Sequence, residues 1–91
     1  MFPYVSTYCP NTTAENAQRI DAGPVVVWYS YRTPVAVQID DGPIFVRNNE
    51  WGPTTGKHLN AIDGGEKSSR VSAEEFAEYR IKASNRLENG Q

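Results

Sequence analysis

The chain has 91 residues, with nine Lys or Arg against eleven Asp or Glu, one histidine and a net charge of −2. That is the length of one small domain, which buries roughly 60–65% of its unfolded surface, so the aromatic residues must supply much of the core. The absence of any Lys/Arg cluster argues against binding to nucleic acid by bulk electrostatics; the single cysteine, Cys9, excludes an intrachain disulfide and a Cys-rich metal site; and no apolar run approaches the ~20 residues that cross a bilayer.

Residues 1–10 carry no positive n-region and no apolar h-region, so no signal peptide is expected, and a soluble protein of a reducing cytosol fits the lone Cys9. This stretch alternates Phe2, Tyr4, Ser6 and Tyr8 with polar residues and prolines. It reads as an extended arm or an extra edge strand. Asn11 to Asp21 carries helix signals. Thr12 and Glu15 fit a capping box, Ala14, Ala17 and Ile20 form a narrow apolar stripe, and Gly23-Pro24 stops it.

The run Val25 to Val37 (VVVWYSYRTPVAV) is the organising stretch. Val25, Val27, Tyr29 and Tyr31 point one way along an extended chain, and Val26, Trp28, Ser30 and Arg32 the other. Both faces are apolar, so the strand is expected at the centre of a sheet, covered on both sides: by helices on one, by the arm or a second subunit on the other. Pro34 bends the run. From Pro34 to Ile39, Val35, Val37 and Ile39 are expected to face in and Ala36, Gln38 and Asp40 out. Asp40-Asp41-Gly42 is a turn, because Gly accepts positive φ and Asp tolerates it, and Pro43 to Arg47 is a third strand.

After the polar loop Asn48-Asn49-Glu50, Thr54 is the expected N-cap of a helix over Thr55–Ile62, with Thr55, Leu59 and Ile62 on its packed face and Lys57 and His58 flanking it. Residues 64–70 read as a flexible linker. The last helix runs over 71–88. Ser72 caps it, Glu75 completes a capping box, Val71 staples onto Phe76, and Phe76, Tyr79, Ala83 and Leu87 make its apolar stripe. The expected fold is α+β: a three-stranded antiparallel meander with two or three helices packed on it.

Chemistry is sparse. Gly52-Pro-Thr-Thr-Gly-Lys57 is one residue short of a phosphate loop and lacks the Ser or Thr that would hold magnesium. Thr54, Thr55 and the N–H groups of a helix start could hold an anion, although capping explains those threonines equally well. His58, Cys9 and Asp63 supply the residue types of a hydrolytic triad, but nothing in the spacing brings them together. No enzyme activity, cofactor or metal is expected.

Ser30-Tyr31-Arg32-Thr33-Pro34-Val35-Ala36, followed by Trp51-Gly52-Pro53-Thr54-Thr55-Gly56-Lys57-His58-Leu59-Asn60, resembles a small uncharacterised domain family with the pattern S-Y-x-T-x-V-A and W-x-x-T-T-x-(K/R)-H-(I/L)-N. Such domains are encoded by tailed bacteriophages and some prokaryotes. The resemblance implies a phage or prophage origin and a place in the host-cell cytoplasm, and it implies no activity. It directs attention to Thr33, Trp51, Thr54, Thr55, Lys57, His58 and Asn60, either as a binding site or as a hydrogen-bonded knot fixing the helix start to the sheet. The leading functional expectation is a non-catalytic interaction protein acting on a host or phage macromolecule. A nucleic-acid-binding module using Thr54, Thr55, Lys57, His58 and Arg47, and a small-ligand or nucleotide site at the same helix start, are the alternatives. No membrane partner is expected, and a homodimer is left open by the doubly apolar strand.

Overall fold

The computed structural model describes residues 4–9, 17–50 and 52–89. A five-stranded antiparallel sheet is formed by β1 (Tyr4–Thr7), β2 (Ala17–Ala22), β3 (Val25–Ser30), β4 (Thr33–Ile39) and β5 (Ile44–Val46), in that spatial order. Two helices follow, α1 (Pro53–Asp63) and α2 (Ala73–Asn89), with a short 3-10 turn, Lys67–Ser69, between them. The class is α+β, as expected, but the meander has five strands rather than three. Tyr4–Thr7 of the expected arm form the extra edge strand.

The largest departure is β2. Residues 17–21, expected as the end of a helix, are extended and paired on both edges, with Val5, Ile20 and Val27 aligned across β1, β2 and β3. A six-residue segment has little helical stability of its own, and ladders on both sides outweigh a weak stripe. The capping box Thr12/Glu15 lies outside the described residues. Gly23-Pro24, read as a helix stop, is instead the two-residue hairpin turn into β3. Gly23 takes φ 71°, and Pro24 follows with its φ fixed near about −65°.

The strand β3 is central and covered on both sides, as its two apolar faces require. The cover differs from expectation: the helices lie on opposite faces. Val26 and Trp28 pack with Val35, Ala36, Val46 and Leu59, with Tyr8 and Ile62 at the margin, which is the α1 side. Val25 packs with Val37, Phe76 and Ala83 on the α2 side, joined by Phe45 and Tyr79, whose rings stack 3.7 Å apart. No second subunit is needed to bury β3. The expected alternation of β4 fails at one point. The register slips beside Trp28 and Tyr29, so Val35 and Ala36 both enter the α1-side core and Ala36 is buried rather than exposed. Pro34, opposite Tyr29, is part of this irregularity, since it has no N–H for the ladder.

At the β4–β5 turn, Asp40 and Asp41 take positive φ (52° and 58°), and the Gly42 N–H donates to the Ile39 carbonyl at 3.0 Å. Positive φ therefore falls on the aspartates and not on Gly42. Arg86 of α2 pairs with Asp40 at 2.9 Å, tying the turn to the last helix. The helix α1 starts two residues earlier than expected: Gly52 is its N-cap and Pro53 opens it, so Thr54 is already helical. Proline suits this position, where its missing N–H has no intrahelical partner to lose. The stretch 64–70 is not a free linker. It contains the 3-10 turn, and Arg70 is held at its end by Asp63. The signals of α2 hold: Ser72 Oγ accepts from the Glu75 N–H at 3.2 Å, and Val71 and Phe76 share a cluster. Leu87, at the far end of the expected stripe, is exposed.

Candidate functional site

The helix α1 carries most of the expected site residues, and its geometry divides them. A helix turns about 100° per residue, so positions 55, 58, 59 and 62 share one side while 56, 57 and 60 share another. The first side faces the sheet: Thr55, His58 and Leu59 are buried and Ile62 is half-buried. Burying Leu59 stabilises the docking by about 1.5–3 kcal/mol, which a short helix needs to persist.

The expectation that His58 flanks this face is corrected, since it is 1% exposed. Its Nδ1 lies 2.7 Å from the Ser30 hydroxyl, which in turn donates to Thr55 Oγ1 at 3.3 Å. A serine hydroxyl has one proton. Both contacts are satisfied when His58 carries its proton on Nδ1 and donates it to Ser30. Two tyrosine rings enclose the imidazole: Tyr8 edge-on at 6.2 Å between centroids and Tyr31 tilted at 5.6 Å. The Tyr8 hydroxyl donates to the Tyr29 carbonyl at 2.8 Å. Burial, with the neighbouring Cys9 side chain a lesser cause, raises the Tyr8 pKa. Burial also lowers the His58 pKa below its ordinary value, because the imidazolium would lose its water. Tyr31 reaches its place from a backbone at φ 61°, uncommon for a residue with a side chain.

A cavity of about 140 Å³ lies elsewhere, between β3 and the end of α2; beside the knot is a smaller one, about 120 Å³, bordered by Ser30, Tyr31, Thr33, Val35 and Thr55. Thr33 is thus next to Ser30 and Thr55. The hydrolytic combination is not assembled as a carboxylate–histidine pair: Asp63, at the far end of α1, is engaged by Arg70, and Cys9 is a buried free thiol. Gly52 to Lys57 is helical from Pro53 onward, so it is no phosphate loop.

The other side of α1 borders an open cleft of about 540 Å³, to which Asn48 and Asn49 contribute from the loop after β5, Lys57 and Asn60 from α1, and Lys67 and Arg70 from the following segment. Gly56 also lies there, and a Cβ on it would sit 3.1 Å from Asn49 Nδ2, so the glycine allows loop and helix to approach. A buried ion pair ties the base of the cleft wall to α1. The Arg70 guanidinium, 4% exposed, meets both Asp63 carboxylate oxygens at 2.8 and 3.0 Å. It also donates to Asn60 Oδ1 at 3.0 Å. For Asp63, burial alone would raise the pKa, but the Arg70 hydrogen bonds, the Gly65 N–H and the Arg70 charge outweigh it and hold the carboxyl below its ordinary range.

Of the expected site residues, Thr55 and His58 are in the buried knot, with Thr33 beside it, while Lys57 and Asn60 are in the cleft. Arg47 is outside both groups and pairs with Glu50 at 2.6 Å. Trp51 and the Thr54 side chain lie outside the described residues. Sequence reading missed Asn48, Asn49, Lys67 and Arg70, which come from segments read as a polar loop and a linker. It had Ser30 in the motif but not among the site residues.

Among the described residues no helix is long and apolar enough to cross a membrane, and no group of three or more His, Cys, Asp or Glu side chains could hold a metal. No curated protein matches the chain, and no solved structure does. The family of unknown function DUF8033 matches residues 5–78, which takes in β1 from its second residue, β2 to β5, α1 and the start of α2, and with them both the buried knot and the cleft. The chain therefore belongs to the DUF8033 family, a family of unknown function.

Proposed function

We propose that the protein is a non-catalytic interaction domain that engages a host or phage macromolecule through the cleft side of α1. The observation that carries this reading is the division of one motif. The residues with reactive chemistry, Ser30, Thr55 and His58, are buried and bonded to one another, whereas Lys57 and Asn60 border open space beside Lys67. A general base must reach the proton it takes, directly or through one water, and an imidazole 1% exposed is poorly placed to do so. The same division narrows the nucleic-acid alternative, because Thr55 and His58 are turned inward, which leaves Lys57 and Asn60 for contact among the described side chains of α1 in that set. A phage or prophage origin and action in the host cytoplasm are part of the proposal, and rest on the resemblance of the two motif segments.

Affinity capture from host lysate tests it, using the full chain and a Lys57→Glu/Lys67→Glu variant. One stoichiometric partner, protein or nucleic acid, is expected with the wild type and is lost with the variant. No enriched partner, or capture undiminished by the variant, would contradict the reading.

A further inference from the structure

Resting on the reading of the cleft as the binding surface, we infer that its ligand is a phosphoryl group, carried by a nucleotide or a nucleic-acid strand. The charged groups that line the cleft, Lys57, Lys67 and Arg70, are all cationic. Among the described residues the Lys57 and Lys67 ammonium groups have no acidic or hydrogen-bonding partner, and both side chains are exposed. The Asn60 carbonyl oxygen is occupied by Arg70, so the group left to Asn60 is its NH2. Among the described residues no acidic side chain borders the cleft. A ligand that matches such a surface is an anion rich in acceptor oxygens.

Two features favour phosphate over a peptide carboxylate. The planar fork of Arg70, the group best shaped for a carboxylate, is already engaged by both oxygens of Asp63. The free cations are ammonium groups, which bind phosphate as point charges, approaching its tetrahedral oxygens from separate directions. Lys57 and Lys67 come from different elements, α1 and the 3-10 turn, and both line the cleft. The cleft, about 540 Å³, is also larger than a phosphate needs. It lies within the range of about 300–1,000 Å³ for small-molecule sites, which leaves room for an attached sugar or base.

Binding to the full chain, followed by isothermal titration and by amide NMR shifts, tests this with inorganic phosphate, ATP, a single-stranded DNA of about ten bases and a poly-glutamate peptide. Phosphate-bearing probes are expected to shift Lys57, Asn60 and Lys67 amides and leave Ser30 and Tyr31 in place. Lys57→Ala and Lys67→Ala should each weaken ATP or DNA binding about tenfold without lowering Tm. Stronger binding of DNA than ATP assigns the phosphate to a strand, with a log–log salt slope of about −1.4 for two contacts; the reverse assigns it to a small ligand. Poly-glutamate binding as well as either, or no probe binding, would overturn the inference. Lysate capture that still depends on Lys57 and Lys67 would then leave the interaction reading standing without it.

Discussion

Burial and a short hydrogen bond act on His58 together. Its ring is enclosed by Tyr8 and Tyr31, and its Nδ1 meets Ser30 at 2.7 Å. Removing the serine hydroxyl leaves a buried N–H without its acceptor, which costs about 1–3 kcal/mol. Ser30→Ala should therefore lower Tm by several degrees, since about 1 kcal/mol shifts a domain of this size by roughly 4–8 °C. Urea unfolding measures it, and a change below about 0.5 kcal/mol would show that the contact does not hold the helix to the sheet. The Tyr31 backbone at φ 61° belongs to the same arrangement. Strain at that residue persists where surrounding contacts fix it, and the ring contact with His58 is one such contact. Ser30 was legible in the motif, but its pairing with His58 spans 28 residues and no local pattern encodes it.

Elements with their own chemical punctuation were legible. The cap of α2 could be read because Ser72 and Glu75 act across one turn of chain, and the two faces of β3 because alternation is local. β2 was not, since Ala17, Ile20 and their neighbours suit a helix or a strand, and long-range pairing with β1 and β3 decides between them. The cleft was hidden for a related reason: its walls come from three separate segments, 48–49, 56–60 and 67–70. What holds the last of these is the Arg70–Asp63 pair, with side chains 4% and 10% exposed. Truncating one partner of a buried pair costs about 3–5 kcal/mol because the other charge is left without compensation. Arg70→Ala is expected to destabilise the fold by about 3 kcal/mol in chemical denaturation. It should also make the remaining stability less sensitive to acid: the carboxyl held below its ordinary 3.8 by Arg70 contributes stability above that value, and this is lost as pH falls through the depressed one. A loss under about 1 kcal/mol would mean that the pair behaves as a surface contact.

Across the whole molecule, the sheet is a partition. Its α2 side is closed by Phe76, Ala83 and the stacked pair Phe45–Tyr79, and its α1 side by Leu59 and Trp28. The motif on α1 thus serves two purposes from one helix: the inner half fixes the helix to the sheet, and the outer half, with Lys57 and Asn60, faces the cleft. The inner half also contributes to the response of the fold to acid, in a higher pH window than Asp63. Burial lowers the His58 pKa below 6.5. Between that depressed value and 6.5 the unfolded chain takes up a proton that the folded chain does not, so stability falls as pH drops through this window and is unaffected by His58 above it. The most direct test of this division is the ring nitrogen NMR spectrum of His58, followed from about pH 8 to about pH 5. A neutral ring protonated on Nδ1 at pH 6.5, taking up its second proton only below that pH, is the predicted result; a ring that titrates at or above 6.5 in the intact fold would contradict it.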